Sequence, residues 1–464
     1  MENKTDDLIL QPHQKPKNIG QWLVLSLQHV FAMFGATVLV PIIINGLANE
    51  TVINISMALF CSGFGTLIYI ALTMAKVPIY LGSSLAYMTV IGLGWKDWHN
   101  AVFIAVFAVG LVYILVGFII HWTGIKWIKK AFSPVVIGPI ICIIGLSAVK
   151  SALSDIGFIW DSTKQYPQWL SILIGIIVFL TAAMFMLKAK SFLRVIPILI
   201  ALIIGYVFTV ILHYSLSGYG YKLLDTDLIT NVSSWEWYPS FKGIWNVDGS
   251  KIGPALVAIV PISLVTMVEH LGDHINIGNM TNKNYIENPG ISKTLMADGV
   301  AMGLSGLIGG PPNATYAENT SVVGITRVAS VWVTGLAACM AIIMSFIAPI
   351  NQIIIMIPKP VLGGISLMLF GMISSNGIKI MIDEKVDFKN AKNIIISSVV
   401  LATGIGMSIT GSTIKIASSF EITGLFLATF LGLMLNLFLP DQDNLGFKSL
   451  FKRKEKIKKT KIKK

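Results

Sequence analysis

Charged residues are scarce in this chain. Only 12% of its 464 residues are Asp, Glu, Lys or Arg, while 54% are hydrophobic. Apolar runs of about twenty residues recur from one end to the other, which is the length that a membrane-spanning helix needs. This composition excludes a soluble multidomain protein and predicts an all-α, polytopic membrane protein.

Cysteine is equally rare. Cys61, Cys142 and Cys339 are the three cysteines, and each lies within an apolar segment. This pattern excludes a disulfide framework. We expect the three thiols to serve as small core residues.

Acidic residues are outnumbered, with 23 Asp and Glu against 35 Lys and Arg, for a net charge of +12. Residues 452–464 alone hold nine basic residues and one acid, a balance of +8. Because the excess belongs to a tail, we expect it to follow the positive-inside rule or to contact anionic membrane lipid. It does not predict nucleic-acid binding.

The N-terminal pattern contains no cleavable signal sequence. The polar segment 1–18 leads directly into the apolar segment Gln21–Asn45, with no small-residue cleavage site after a short apolar core. We therefore expect the N-terminus to stay attached and cytoplasmic.

About fourteen apolar segments can be delimited, and two of them are too short to span as simple helices. The short segments are 79–94 and 313–326, the third and the tenth, and each follows a proline, Pro78 or Pro312. The other segments lie near residues 20–45, 53–74, 101–122, 134–152, 168–187, 193–214, 254–280, 294–310, 328–350, 358–380, 393–411 and 420–440.

Fourteen basic residues at or between the segment ends, together with the basic tail, fall on one side, which the positive-inside rule assigns to the cytoplasm. The longest loop on the other side, Ser215–Gly253, carries Trp235, Trp237 and Trp245 and is nearly neutral. An even number of spans then places both termini inside. The basic residues are Lys76, Lys126, Lys129, Lys130, Lys188, Lys190, Arg194, Lys283, Lys293, Arg327, Lys379, Lys385, Lys389 and Lys392.

An internal repeat relates the fifth segment to the twelfth. Pro134-Val135 with Gly138 and Gly145 recurs 226 residues later as Pro360-Val361 with Gly364 and Gly371. With the short segments at positions 3 and 10, this predicts two seven-segment halves, which must be inverted because seven is odd. We expect a substrate site where the two broken segments, each an extended strand plus a half-helix, meet.

Glu318 is the acid that most needs an explanation. Its neighbours Met302–Gly310 and Val322–Ala348 are apolar enough to be embedded in lipid, where an uncompensated charge costs roughly 2.5–3.5 kcal/mol. Gly309-Gly310-Pro311-Pro312 cannot continue a helix. The sequence therefore predicts a broken helix that lines a cavity, with Glu318 in it.

Glu269 and Asp273 form a second acidic pair, four residues apart and on one helical face. Their functional role competes with ordinary burial against polar partners. His270-Leu-Gly-Asp273-His274 also resembles the inverted zinc-protease pattern, with Asp in the Glu position. An intramembrane metalloprotease that uses these three residues is thus an alternative, although no third ligand lies nearby in the sequence.

For Asp298 and His29, a structural role and a functional role both remain open. Asp298 lies near an expected helix start, where an acid can be solvated and mildly stabilising. His29 follows Gln28 in the first segment, where a lone histidine often serves as a hydrogen-bonding group.

Several short motifs occur in a fixed arrangement in this chain. Glu318-Asn319 is followed by Thr326-Arg327, and Glu269-His270 lies in the eighth segment. The first pattern is similar to the signature of the nucleobase-ascorbate (nucleobase:cation symporter) transporter family, and the second resembles the eighth-span motif of that family. Gln28-His29, Phe31–Pro41 and Tyr80-Leu-Gly-Ser-Ser84 resemble the bacterial uracil permease branch, and the likeness runs from about Gln21 to about Leu439. Two positions depart from the pattern, Ser321 in place of a glycine and Asp273 in place of a histidine.

The resemblance implies a core domain of residues 19–125 and 254–350 and a gate domain of residues 126–253 and 351–440. The gate domain includes the external loop, 215–253. A cytoplasmic segment, 1–18, and a basic cytoplasmic tail, 441–464, lie outside both domains. Alternating access would follow from movement of one domain against the other. In this picture Glu269 and Glu318 bind the pyrimidine, together with Leu85, Tyr316, Ala317 and Phe370. Proton coupling would involve Glu269, Asp273, His29 and Asp298, and Asn319, Thr326 and Arg327 complete the signature.

The expected function is secondary active import of uracil by proton symport across the plasma membrane, with no enzyme activity, cofactor or metal. Glu at 318 and Arg at 327 favour pyrimidine, and a xanthine or purine permease of the same family is the alternative. Na+ is the less favoured coupling ion. Whether the protein forms a homodimer stays an open question.

Overall fold

The computed structural model is predominantly helical. It describes residues 8–124, 133–159, 166–190, 193, 196–224, 238–241, 243–245, 247–349, 353, 356–410, 412, 414–417 and 420–440. The basic tail 441–464, and Trp235 and Trp237 of the expected external loop, lie outside the described residues.

The first half of the chain contains eight helices and one short strand within the described residues. They are α1 (Ile19–Ala48), α2 (Ile55–Leu72), β1 (Leu81–Ser83), α3 (Met88–Trp98), α4 (Ala101–Thr123), α5 (Pro134–Ser147), α6 (Val149–Ile156), α7 (Gln168–Lys188) and α8 (Pro197–Ser215). A 3₁₀ turn at Leu85–Tyr87 leads from β1 into α3.

The second half begins with α9 (Gly249–Ile259) and α10 (Ile262–Thr281). It continues with α11 (Ile291–Leu307), β2 (Asn313–Thr315), α12 (Ala317–Thr326), α13 (Val331–Met344), α14 (Lys359–Asp383), α15 (Ala391–Thr410), β3 (Ile414–Ala417), β4 (Phe420–Ile422) and α16 (Gly424–Phe438).

Each of the fourteen predicted segments contains a helix, which confirms an all-α polytopic membrane protein. Among the described residues, eight helices are long and apolar enough to cross a membrane, or nine if the bent pair α9–α10 is one span. Here α5 and α6 together count as one span. Helices α13 and α16 are apolar but shorter.

The eighth segment, predicted as one helix, is in fact broken. α9 and α10 meet at Val260 and Pro261, and their axes differ by 43°. Proline has no backbone N–H to donate to the preceding turn, so a helix breaks readily at this position. Pro261 is the residue in the sequence that marks this break.

The third and tenth segments have the predicted broken form. Each contains a three-residue strand, β1 or β2, followed by a short helix, α3 or α12. The strands pair antiparallel, with Leu81 opposite Thr315 and Ser83 opposite Asn313. An inverted relation between the two halves requires this antiparallel pairing.

Small residues let α4 and α11 pack closely. A Cβ atom on Gly110 would lie 2.5 Å from the carbonyl oxygen of Gly299 and from the backbone nitrogen of Gly303. Only glycine permits such an approach of two helix backbones in a membrane. The contact fixes the helix that carries Asp298.

The described residues fall into two compact units. The first lies within Met1–Gly124, Ala148–Gly371 and Ala417–Phe420, and the second within Ile125–Ser147, Met372–Ile416 and Glu421–Lys464. All candidate site residues belong to the first unit. The division into core and gate domains, which concerns movement, stays a prediction.

Candidate functional site

The two half-helices begin beside the strand pair. The Ser84 N–H donates to the Pro312 carbonyl at 2.8 Å, and the Tyr316 N–H donates to the Tyr80 carbonyl at 3.0 Å. No side chain caps the Leu85–Tyr87 turn or the start of α12. Apart from the Glu318 N–H, which lies within reach of the Glu318 carboxylate, the first N–H groups of α12 are therefore available to an acceptor, and the helix dipole favours negative charge there.

Tyr316, which directly follows β2, also contacts β1 and so links the two strands. Its ring lies over Gly82, in the space that a Cβ atom of any other residue would occupy. Its hydroxyl donates to the Ser83 carbonyl at 2.8 Å and accepts from Thr37 Oγ1 at 3.2 Å. The hydroxyl and the N–H of Tyr316 are thus used within the protein, and its contact with a substrate stays a prediction.

Three carboxylates face one space between α10 and the start of α12. Glu269 and Asp273 lie on α10, Glu318 lies in the first turn of α12, and the three interact electrostatically. Thr315 of β2 donates a hydrogen bond to Asp273 Oδ2. Glu269 is exposed and Glu318 half-buried, so both carboxylates reach a space that protein atoms do not fill.

The other residues predicted to bind substrate differ in accessibility. Ala317 is exposed and Leu85 is half-buried, each at the start of a half-helix. Phe370 is buried on α14. Its role in binding stays a prediction.

The His270 and His274 rings stack with their centroids 4.1 Å apart, and each ring has hydrogen-bonding partners of its own. His270 Nδ1 lies 2.8 Å from Asp298 Oδ2, and its Nε2 lies 3.1 Å from Thr294 Oγ1. His274 Nε2 lies 2.6 Å from the Tyr69 hydroxyl, and its Nδ1 lies 2.6 Å from the His270 carbonyl. Both imidazoles therefore have hydrogen-bonding partners on each nitrogen.

This arrangement does not support the zinc-protease pattern. Asp273 bonds to Thr315, so the three residues of the pattern have separate partners. Within the part of the chain that the structure describes, no group of three or more His, Cys, Asp or Glu side chains could hold a metal ion.

Asp298 is not a solvated acid at a helix end, so that alternative is wrong. It lies seven residues after the start of α11, is 1% exposed, and pairs with a buried histidine. The tight packing of α11 on α4 explains its burial. Its part in proton coupling stays a prediction.

The predicted signature residues connect α12 to its surroundings. Asn319 Nδ2 donates to the His29 carbonyl at 3.0 Å, which joins α12 to α1. Thr326 Oγ1 donates to the Val322 carbonyl at 2.7 Å, and Arg327 ends the helix with a φ of 56°. The structure thus places Asn319 and His29 together, while Thr326 and Arg327 lie at the far end of the helix.

Hydroxyl groups beside the acids were missed by the sequence analysis. Thr315 bonds to Asp273, and Thr266 bonds to Tyr87 and Tyr113 close to Glu269. Thr266 stands three residues before Glu269, so its helical spacing was the available signal. Its two tyrosine partners lie over 150 residues away in the chain, and no local pattern marks them.

The family model described as "Permease family" matches residues 20–412. The chain belongs to the permease family. It is 36% identical over 433 residues to the uracil permease of Bacillus caldolyticus, covering 93% of this chain and 95% of that protein. It is 34% identical over 424 residues to the uracil permease of Escherichia coli K12, covering 90% and 91%.

Solved membrane transporters share the fold of this permease-family chain. The transmembrane domain of the cyanobacterial bicarbonate transporter BicA matches 92% of this chain and 99% of its own, with a TM-score of 0.55 and 14% identity. Murine Slc26a9, an anion transporter in the inward-facing state, matches 92% of this chain and 69% of its own, with a TM-score of 0.63 and 11% identity. At these identities the likeness concerns the fold alone.

Proposed function

We propose that this chain is a secondary active transporter that imports uracil by proton symport. The observation that carries the proposal is the group of three carboxylates, Glu269, Asp273 and Glu318, at the start of a half-helix beside two paired strands. The names of its curated relatives support uracil as the substrate.

The chemistry of these groups is complementary to a pyrimidine. Uracil has two ring N–H donors and two carbonyl acceptors. The carboxylates of Glu269 and Glu318 accept hydrogen bonds, whereas the free N–H groups at the starts of the half-helices donate them. Leu85, Ala317 and Phe370 are proposed to complete the pocket.

The same carboxylates are proposed to carry the coupled proton. Removal of a carboxylic acid from water favours its neutral form, and neighbouring acids titrate as a coupled set. We assign the proton to Glu269 or to the Glu269–Asp273 pair, with Asp298 and His29 as further members of the pathway. Alternating access between the predicted core and gate domains would then release proton and substrate to the cytoplasm.

We further propose that the protein lies in the cell membrane with both termini cytoplasmic. The one-sided distribution of Lys and Arg supports this orientation. Cysteine labelling at positions in the tail from each side of the membrane tests it.

The substrate is tested by uptake of radiolabelled uracil in competition with a panel of purines and pyrimidines. We expect unlabelled uracil to compete best. Stronger competition by xanthine or another purine would favour the alternative purine permease and overturn the uracil assignment.

The coupling ion is tested in proteoliposomes with an imposed pH gradient and no sodium, for wild type and Asp273→Asn. We expect wild type to accumulate uracil and the variant to lose the dependence on the gradient. Because Asp273 accepts a hydrogen bond from Thr315, Thr315→Val is the matched control that removes this bond and keeps the acid. A sodium requirement in wild type would contradict proton coupling, and unchanged pH dependence in Asp273→Asn would contradict the role proposed for Asp273.

A further inference from the structure

Three buried hydroxyl groups meet one helical turn from Glu269. The Tyr113 hydroxyl donates to Thr266 Oγ1 at 2.6 Å, and the Tyr87 hydroxyl lies 3.1 Å from the same atom. The two tyrosines are fully buried, and Thr266 is 2% exposed. We call Thr266, Tyr87 and Tyr113 the hydroxyl cluster.

Thr266 Oγ1 accepts a hydrogen bond from the Tyr113 hydroxyl, and the Ser263 carbonyl lies 3.2 Å away as an acceptor for the Thr266 hydroxyl. In the bond between Tyr87 and Thr266, either hydroxyl can be the donor. Thr266 Oγ1 is therefore the atom that both phenols share.

The cluster joins three elements. Thr266 lies on α10, Tyr113 lies on α4, and Tyr87 ends the 3₁₀ turn that carries Leu85 into α3. Both phenols also interact electrostatically with Glu269. The cluster therefore ties the third, broken segment to α10 next to the candidate site.

A second hydrogen bond to a broken segment lies on the other side of Glu269. Positions 266, 269 and 273 share one face of α10, because residues three and seven apart align on a helix. Asp273 is bonded to Thr315 of the tenth segment. Glu269 thus stands between a bond to the third segment and a bond to the tenth.

Glu269 itself has no such restraint. No hydrogen bond from another residue reaches its carboxylate within the part of the chain that the structure describes, and the side chain is exposed. Its position is determined by the backbone of α10 and not by partners of its own. Whatever holds this turn of α10 against the broken segments therefore determines where the carboxylate points.

We infer that Thr266, through Tyr87 and Tyr113, is a positioning residue that sets Glu269 and the Leu85 turn at the right separation to bind a substrate with ring N–H donors. This inference rests on the proposed function, because it concerns the site that would bind uracil. Thr266 acts through Glu269 and Leu85 and not by contact with the substrate.

The test compares Thr266→Val with Thr266→Ser. Valine has the shape of threonine but no hydroxyl, so it removes the hydrogen-bonding partner of two buried phenols. Serine keeps the hydroxyl. In purified protein that elutes as a single species, we expect Thr266→Val to raise the uracil Kd by about tenfold and Thr266→Ser to stay within about twofold of wild type.

Transport kinetics distinguish positioning from a merely structural role. A loss of folded protein lowers the maximal uptake rate in proportion to the folded amount and leaves KM unchanged. A mispositioned Glu269 raises KM instead. Should Thr266→Val fail to fold, Tyr87→Phe provides the same test, because it removes only the hydroxyl that joins the third segment to α10.

Each outcome either supports or overturns the inference about Thr266. A raised KM and Kd with rescue by serine supports the inference. Uracil binding within about twofold of wild type in Thr266→Val and Tyr87→Phe, or equal loss in the valine and serine variants, would overturn it while the proposed function stands. Absence of uracil binding in wild type would overturn the proposed function, and the inference with it.

Discussion

At the scale of single residues, the three carboxylates of the candidate site differ in how they are held. Asp273 accepts a hydrogen bond from Thr315. Glu318 lies in the first turn of α12, within reach of its own backbone N–H. Glu269 is exposed between them. The carboxylates of Glu269 and Glu318 are therefore the ones that are free to form hydrogen bonds with a ligand.

Replacement of Glu318 by glutamine should weaken uracil binding at least about tenfold. The amide presents a donor where the substrate also donates, and the charge-assisted hydrogen bond, worth about 1.5–3 kcal/mol, is lost. Isothermal titration of purified protein measures the effect. Glu287→Gln, at an exposed position of the short helical turn Ile286–Gly290 before α11, is the matched control. Unchanged affinity in Glu318→Gln would remove Glu318 from the site.

At the scale of elements, the paired strands β1 and β2 hold the two half-helices in place. Tyr316 spans the pair, with its ring over Gly82 and its hydroxyl on the Ser83 carbonyl. The glycine is required by the close approach of the ring and not by an unusual backbone angle. Any side chain at position 82 must displace Tyr316, which immediately precedes the turn of α12 that carries Glu318.

We therefore expect Gly82→Ala to weaken uracil binding and to lower the melting temperature of the purified protein. The added Cβ would overlap the Tyr316 ring, and overpacking of this kind typically costs about 1–3 kcal/mol. Gly371→Ala is the control, because nothing lies within 4 Å of a Cβ built at that position in α14. Similar behaviour of the two variants in ligand-binding and thermal-shift assays would contradict the proposed role of the strand pair.

Much of this element-level arrangement could be predicted from the sequence. The prolines at 78 and 312 and the short apolar runs after them indicated the broken segments, and the spacing of Glu269 and Asp273 indicated a shared helical face. The burial of Asp298 could not be predicted, because it depends on how α11 packs against α4. The hydroxyl cluster was equally hidden, since it joins residues on three separate elements.

At the scale of the whole molecule, the N-terminal segment is bound to the region that follows α12. Ile9 N–H donates to the Arg327 carbonyl at 2.8 Å, and Ala329 N–H donates to the Leu10 carbonyl at 3.0 Å. Val331 N–H donates to the Pro12 carbonyl at 2.9 Å, and Leu8 packs against the buried cluster that contains Leu81. Residues far apart in the chain thus restrain the end of the half-helix that carries Glu318.

The two termini should consequently differ in their importance. We expect removal of residues 452–464 to leave uracil transport intact, because this charged segment lies beyond the last apolar segment of the sequence. Uptake normalised to the amount of protein in the membrane is the measurement. Loss of uptake at normal abundance would show that the tail takes part in transport.

Removal of residues 2–15 should lower both the melting temperature and the affinity for uracil. The truncation deletes the partners of Ala329 and Val331 and exposes backbone groups that are otherwise paired, at about 0.5–1.5 kcal/mol for each bond lost. It also removes the Lys15 ammonium, which lies 3.9 Å from the centre of the Trp332 ring at the start of α13. Because the lost contacts surround the end of α12, the effect should reach Glu318 at its other end through the helix.

Thermal unfolding and titration with uracil, each compared with the variant that lacks residues 452–464, measure the two effects. A truncated protein as stable and as tight-binding as wild type would show that the segment restrains neither α12 nor the site.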